Sequence, residues 1–155
     1  MPVKPIPDNY HSVTPYLIVK GAASALDFYK RAFGAEETVR MESKGTVVHS
    51  EFRIGDSVVM LADEMPAMGH KSPQSLGGTP AMLMIYVENV DQMFTRAISA
   101  GATEVRPVTN EFYGDRAGSL KDPFGHQWMI ATHVEDVAPD EMDRRFREML
   151  KGMGL

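Results

Sequence analysis

The spacing of apolar and polar residues predicts a β-α-β-β-β unit at the beginning of the chain. A run rich in β-branched and aromatic residues covers residues 12–19, and Pro15 within it favours an edge or irregular strand. Apolar residues then recur at helical spacing over residues 22–33, and Gly34 ends that helix. Three strand-like runs separated by turn residues follow, at 37–41, 46–54 and 57–61.

The same order of elements recurs in the second half of the chain. A connector rich in Pro, Gly and Ser covers residues 64–78, and a β-rich run over 81–87 follows it. Apolar positions from Val90 onward predict a second helix, which Gly101 ends as Gly34 ends the first. The last predicted strands cover residues 104–108, 117–120 and 126–132. The two halves indicate an internal duplication, and we predict an α+β fold of two tandem βαβββ modules.

These patterns divide the chain into an arm, one domain and a C-terminal extension. Residues 1–11 carry three prolines and predict an extended N-terminal arm. The single domain covers 12–133, with modules at about 12–63 and 79–133. In the extension, residues 134–155, a helix is predicted from position 139 to about 151. Its apolar stripe should dock on the domain or on a partner subunit, and it comprises Met142, Phe146, Met149, Leu150 and Met153.

Composition and charge exclude several classes of function. The 155 residues include no cysteine, so disulfides, thiolate metal sites and cysteine nucleophiles are excluded. Sixteen Lys and Arg against twenty-one Asp and Glu give a net charge of −5, which argues against nucleic-acid binding. No apolar run approaches the ~18 residues of a membrane span, and residues 1–7 lack the hydrophobic segment of a secretory signal. We therefore expect a cytoplasmic protein with no nucleic-acid or membrane partner.

Several motifs resemble those of one enzyme superfamily. The first half contains LIV at 17–19 and ALDFYKRAFGA at 25–35, and the second half contains VENVD at 87–91 and DPFGH at 122–126. These motifs resemble the vicinal oxygen chelate superfamily, which includes glyoxalases, bleomycin-resistance proteins and dioxygenases. The segments around 13–19 and 113–128 are similar to its PhnB-like branch. The resemblance implies that each module supplies a curved sheet and that the two sheets form a cup around a ligand.

The resemblance also assigns four metal-ligand positions. They would fall at Thr14, at Met60 or at Val59 with a register slip of one, at Met82 and at Met129. A thioether is a poor ligand for zinc, nickel or magnesium, and a lone threonine hydroxyl cannot hold such an ion. We therefore expect no metal at these positions and no cofactor. The four side chains should nevertheless lie near one another around the floor of the cup.

The side chains that should face the cup form a soft apolar set. If strand alternation follows the family, the candidate ligand-binding residues of this kind are Tyr16, Met60, Met82, Met84, Tyr86 and Met129. Methionine is flexible and polarizable, and it suits an adaptable binding surface. The alternative interpretation is that these residues only fill a core, and the sequence leaves both open.

Polar candidates lie on the strand over 46–54 and near the last two strands. Alternation places His49, Glu51 and Arg53 on the concave side, with Val48, Phe52 and Ile54 on the helix side. The three polar groups could orient a ligand or do acid–base work, or they could form a solvated, internally paired face. With His11 as a third ligand, His49 and Glu51 could also hold a relocated metal.

Three further residues in the second half receive individual interpretations. Arg116 could bind an anionic ligand group bidentately, or it could belong to a loop stabilised by Asp115. His126 follows a tight turn and is expected at the surface. His133 carries no motif.

The sequence supports three functional hypotheses. The leading one is metal-independent binding of a small aromatic or cationic molecule in the cup, by a homodimer with covered sheet edges. The rival is a lyase, isomerase or dioxygenase with the relocated metal site. The third is a structural or regulatory dimer without a ligand. The sequence leaves open whether any reaction is catalysed.

Overall fold

Residues 2–155 are described by a computed structural model, so Met1 of the predicted arm lies outside the described residues. The elements of the first module are β1 (Tyr16–Val19), α1 (Ala22–Phe33), β2 (Glu36–Ser43), β3 (Thr46–Ile54) and β4 (Ser57–Asp63). In this module β1 pairs in parallel with β4, and the order across the sheet is β1-β4-β3-β2. The strand predicted over 12–19 is shorter and begins after Pro15.

The second module repeats this topology. Its elements are β5 (Met82–Tyr86), α3 (Val90–Ala100), β6 (Thr103–Asn110), β7 (Asp115–Lys121) and β8 (Gln127–His133). The order across this sheet is β5-β8-β7-β6. The connector between the modules contains a short 3₁₀ turn at Pro66–Met68 and a single helical turn, α2 (Pro73–Leu76). The predicted α+β fold of two tandem βαβββ modules with a C-terminal helix, α4 (Pro139–Gly152), is confirmed.

Each module starts its helix with a side chain from its own last strand. The Asp63 carboxylate accepts hydrogen bonds from the backbone N–H groups of Gly21 (3.0 Å) and Ala22 (2.7 Å). In the second module the Thr132 hydroxyl accepts one from the N–H of Val90 at 2.9 Å. Because the first N–H groups of a helix have no partner within it, these contacts fix each helix on its sheet.

The modules share one core, which is formed where α1 packs on α3. The Trp128 ring of β8 is 1% exposed and lies against Tyr29 and Phe33 of α1. The buried Asp122 carboxylate accepts hydrogen bonds from the Tyr29 hydroxyl (2.6 Å) and from the Trp128 indole (2.9 Å). Tyr29 belongs to the first module, so this carboxylate joins the two modules.

His126 also joins the modules, and its predicted surface position is wrong. The residue is only 9% exposed, and its Nε2 lies 3.0 Å from the carbonyl oxygen of Ile18 in β1. The start of β8 faces the free edge of β1, a neighbour that is more than 100 residues away in sequence. A local turn pattern carries no information about that neighbour.

The C-terminal helix docks on the second module. Arg145 binds Glu135 and Glu141, and it donates a hydrogen bond to the carbonyl oxygen of Phe112 at 3.2 Å. The Phe146 ring contacts Phe112 but stays 42% exposed. Part of the apolar stripe therefore remains uncovered by the chain itself. Within residues 2–155, neither α4 nor any other helix is long and apolar enough to cross a membrane.

Candidate functional site

Nine of the ten predicted site residues lie on the faces of the two sheets that point away from α1 and α3. On the first open face, the strand register makes Met60 the direct neighbour of both Tyr16 and Glu51. On the second open face, Met84 pairs with Met129. The first open face carries Tyr16, His49, Glu51, Arg53 and Met60, and the second carries Met82, Met84, Tyr86 and Met129. In residues 2–155, no strand of one sheet pairs with a strand of the other.

The polar residues of the first open face form one hydrogen-bonded chain. The Tyr16 hydroxyl lies 2.8 Å from His49 Nδ1, and His49 Nε2 lies 2.9 Å from Glu51 Oε2. The hydroxyl of Tyr10, in the N-terminal arm, donates to Glu51 Oε1. Because a carboxylate only accepts, His49 donates through Nε2 and accepts the Tyr16 proton at Nδ1. Both ring nitrogens of His49 are therefore engaged.

Glu51 is the anionic centre of this chain and is 8% exposed. Burial alone would raise its pKa, but the hydrogen bonds from Tyr10 and His49 together hold the pKa of Glu51 below its usual value. The carboxylate is thus ionised at neutral pH and secures the arm to the sheet. Arg53, farther along the same face, is half-exposed and pairs with Glu36 at 2.6 Å.

Val48 departs from the predicted alternation on this strand. In the facing strand β2, Met41 pairs with His49, and the next residue, Glu42, pairs with Val47. This register shift leaves Val48 without a partner. Such an extra residue is a β-bulge and turns its side chain away from the regular face. Val48 is accordingly 39% exposed, whereas Phe52 packs on Tyr29 as expected for the helix side.

The second open face has a hydrogen-bonded chain of its own. The buried Asp115 carboxylate accepts from the Tyr86 hydroxyl at Oδ2 and bonds His133 Nδ1 at Oδ1, both at 2.8 Å. His133 Nε2 lies 2.8 Å from the carboxylate of exposed Asp136. Hydrogen bonds to Asp136 and then to Asp115 raise the pKa of His133, although partial desolvation acts in the opposite direction.

A cleft of about 1140 Å³ lies between the two modules. One wall is formed by His11 of the arm, by residues 13–15 before β1 and by the β3–β4 turn, and the other by β5, the end of β8 and part of α3. Its apolar lining includes Phe33, Leu83, Ile85, Val87, Met93 and Trp128. Polar groups at its rim are His11, Asp56, Glu88 and His133. Two of the ten predicted site residues, Met84 and Tyr86, line this cleft.

Arg116 does not reach either open face, so its predicted place on the cup wall is wrong. β7 begins at Asp115, and alternation puts Arg116 on the same side as Gly118, which lies against Phe94 of α3. The guanidinium binds Asp91 in the first turn of α3 through two hydrogen bonds of 2.8 Å. Arg116 therefore fastens α3 to its sheet.

The four inherited metal positions are divided between different parts of the molecule. Met60 belongs to the first sheet, Met82 and Met129 belong to the second, and Thr14 precedes β1 and lines the cleft. The expected floor made of all four is not a feature of either sheet. For the relocated site, His11 Nε2 lies 3.3 Å from the carbonyl oxygen of Asp56. Over residues 2–155, no three His, Asp or Glu side chains are grouped so that they could hold a metal ion.

Asp115 and His133 are the residues that the sequence analysis missed. His133 carries no motif, and the local sequence indicates only that Asp115 stabilises a loop beside Arg116. Strand alternation could have found them, because Asp115 shares a face with Ala117, and His133 shares one with Met129. To use that signal, the strand predicted over 117–120 must begin two residues earlier, at Asp115. The strand predicted over 126–132 must end one residue later, at His133.

Comparisons with known proteins agree with this architecture. The uncharacterized protein Rv0887c of Mycobacterium tuberculosis (strain ATCC 25618 / H37Rv) is 44% identical over 135 residues, which cover 84% of this chain and 79% of that protein. The crystal structure of TioX from Micromonospora sp. ML1 superposes with a TM-score of 0.64 at 24% identity, over 83% of this chain and 100% of TioX. The PhnB protein from Bacillus cereus superposes with a TM-score of 0.59 at 21% identity, over 79% and 99% of the two chains.

At these identities the two structures establish the shared fold. The profile of one family matches residues 10–130, which include the first module, the connector and the second module up to the middle of β8. The chain therefore belongs to the Glyoxalase/Bleomycin resistance protein/Dioxygenase superfamily.

Proposed function

We propose that the protein binds a small aromatic or cationic molecule in the inter-module cleft and that binding needs no metal. The observation that carries this proposal is the cleft itself, with its apolar interior and polar rim. Its volume of about 1140 Å³ lies just above the range of about 300–1,000 Å³ for small-molecule sites, so the cleft has room for a ligand of several rings. Met84 and Met93 can adapt to the shape of the ligand, and the Tyr86 ring offers a face for stacking.

The charges at the rim favour a cation. Asp56 and Glu88 line the cleft, and none of its described lining residues is Lys or Arg. Hydrogen bonds to Asp136 and Asp115 raise the pKa of His133, and these two carboxylates offset the positive charge of its protonated form. The net charge of −5 adds a weak attraction for cations over the whole surface.

The chemistry of the inherited metal positions supports binding without a metal. Met60, Met82 and Met129 offer thioethers where hard divalent ions need nitrogen or oxygen donors. At the relocated position, His49 uses both ring nitrogens for Tyr16 and Glu51. The motifs at 13–19 and 113–128 support a place in the PhnB-like branch of the family.

The preference for a cation is tested with two ligands of the same shape. Benzyltrimethylammonium and neopentylbenzene differ in charge alone, and we expect the cation to bind more tightly and to raise the melting temperature more. In the double variant Asp56→Asn/Glu88→Gln, the cation should lose about threefold to tenfold in affinity, as expected for partly exposed charge pairs, while the neutral ligand is unaffected.

Glu104→Gln is the matched control, because Glu104 is exposed on β6 and does not line the cleft. It should leave both affinities unchanged. If neither ligand shifts the melting temperature, or if the double variant prefers the cation as strongly as the parent does, the proposed site is wrong.

We also propose that the protein is a homodimer in which a second copy covers the parts of the two open faces that lie outside the cleft. Large apolar side chains in those parts are about half exposed, and exposed apolar patches commonly mark interaction sites. These side chains are Tyr16, Met41 and Met82, none of which lines the cleft.

Sedimentation at micromolar concentration should give twice the 17.2 kDa chain mass. Met82→Glu should shift the protein toward the monomer, because Met82 is 51% exposed on the second open face and outside the cleft. A parent chain that sediments as a monomer would contradict the proposal.

A further inference from the structure

We propose that Asp115 and His133 form an acid–base pair that removes a proton from a molecule bound in the inter-module cleft. The inference rests on the proposed function, because the cleft must first admit a ligand. It adds a reaction class, proton abstraction from an apolar or aromatic C–H acid.

The geometry of the pair is that of a histidine oriented by a buried carboxylate. Asp115 is 3% exposed, and its Oδ1 lies 2.8 Å from His133 Nδ1. Its other oxygen is fixed by the Tyr86 hydroxyl, also at 2.8 Å, so the carboxylate cannot rotate freely. The ring is therefore held with Nδ1–H toward Asp115, and the proton that it can exchange is the one at Nε2.

Nε2 has a partner that can give way to a ligand. It lies 2.8 Å from Asp136, whose side chain is fully exposed on the segment after β8. His133 itself lines the cleft and is half-exposed. When Asp136 turns into solvent, neutral His133 has a free lone pair at Nε2, on a ring that lines the cleft.

The corresponding histidine on the first open face lacks these properties. His49 is bound at Nδ1 by Tyr16 and at Nε2 by Glu51, and it does not line the cleft. Glu51 is also covered by Tyr10 of the arm. The two networks contain similar residue types, but of their two histidines it is His133 that lines the cleft.

The step balances without a cofactor. His133 Nε2 accepts the proton of the C–H bond, and the electron pair of that bond moves into the substrate, where it expels a leaving group or forms an enolate. The resulting imidazolium is stabilised by Asp115 and Asp136, and it returns its proton to solvent. The apolar side chains that line the cleft would hold the rings of the substrate next to His133.

5-Nitrobenzisoxazole is a probe of suitable size and chemistry. Its ring opens when a base takes the C3 proton, the electron pair breaks the N–O bond, and the coloured product is 2-cyano-4-nitrophenolate. We expect the protein to open the ring faster than free imidazole at equal concentration. A positioned base typically contributes about a hundredfold or more, so His133→Gln should lower the rate by about that factor.

The pH profile separates a catalytic base from a structural residue. The groups facing His133 are Asp115 on β7, Asp136 after β8, and Tyr86 on β5 through Asp115. The two carboxylates favour the imidazolium, so the rate should rise with pH through a midpoint above about 6.5. Asp136→Asn should move this midpoint down, and Asp115→Asn should lower both the midpoint and the plateau rate.

Probe binding is measured separately from the reaction rate, so that failure of the acid–base pair can be distinguished from failure of the binding site. Probe binding is followed by the NMR methyl signals of Met84 and Met93, which line the cleft. If these signals shift while His133→Gln keeps the parent rate, or while Asp136→Asn leaves the midpoint in place, the acid–base pair is refuted and the proposed binding site stands. If neither the signals nor the rate respond, both proposals fail. Because His133 is half-exposed, its variant should fold, and a melting curve checks this.

Discussion

Replacing Asp122 with Ala is expected to lower the free energy of unfolding by about 4 kcal/mol. The carboxylate accepts four hydrogen bonds, from the Tyr29 hydroxyl, the Trp128 indole and the N–H groups of Phe124 and His126. Alanine leaves four buried donors without a partner, and each costs about 1–3 kcal/mol. Part of that sum is offset because the variant no longer has to bury a charged carboxylate. The melting temperature should fall by roughly 10 °C for a chain of this length.

Two variants provide reference values for this loss of unfolding free energy. Tyr29→Phe removes one donor and leaves the other three in place, so it should cost about 2 kcal/mol. Asp91→Ala removes an exposed carboxylate that binds Arg116, and such pairs contribute about 0–1 kcal/mol. Equal losses in Asp122→Ala and Asp91→Ala would contradict the bridging role. The Tyr29 phenol offers a second measurement, because burial and then Asp122 raise its pKa well above the usual range until the core opens.

Replacing Gly114 with Ala is expected to cost about 3 kcal/mol and to release the segment after β8. Gly114 has a φ of +100°, and a Cβ there would lie 2.1 Å from the backbone oxygen of Glu135. Backbone cannot move aside as a flexible side chain can. The carbonyl oxygen of Gly114 also accepts the N–H groups of Val134 and Glu135, so this contact fixes the segment that carries Asp136.

The Gly114 variant should therefore change local properties as well as stability. Displacement of Glu135 breaks its ion pair with Arg145 of α4, so amide exchange in α4 should accelerate. The pKa of His133 should fall as Asp136 moves away. Gly45→Ala is the matched control, because Gly45 has a φ of +79° and nothing within 4 Å of the added carbon. It should cost about 1 kcal/mol, and an equal cost at both positions would show that the close approach to Glu135 is unimportant.

The repeated βαβββ pattern could be predicted because its signals are local. Gly34 and Gly101 end the two helices. Apolar residues alternate with polar ones in the strands and recur at helical spacing in the helices, and both patterns can be recognised within short segments. The strand bounds differed by a few residues, and that difference had chemical consequences. Beginning β7 at Asp115 rather than near 117 moves Arg116 from a loop onto the helix side of the sheet.

The candidate site was less predictable because its geometry depends on long-range contacts. Alternation correctly grouped His49 and Glu51 on one face, yet nothing local indicates that Tyr10 of the arm would cover Glu51. The cleft is formed by the arm, the β3–β4 turn and β5, which approach one another only after the modules pack. His133 gains a defined role only through Asp115, which lies 18 residues before it.

The contacts between the modules also determine what the connector has to do. α1 packs on α3, Arg96 donates to the carbonyl oxygens of Lys30 and Arg31, and Asp122 and His126 reach across to the first module. The chain around Gly77 and Gly78, by contrast, is exposed and leaves open space beside both glycines. If the chain is cut between Gly77 and Gly78, we expect the two halves to reassociate as complementary fragments, because the tether there sets only their effective concentration. The packed surfaces, which include Ser72 and Pro73 of the connector, specify how the halves associate.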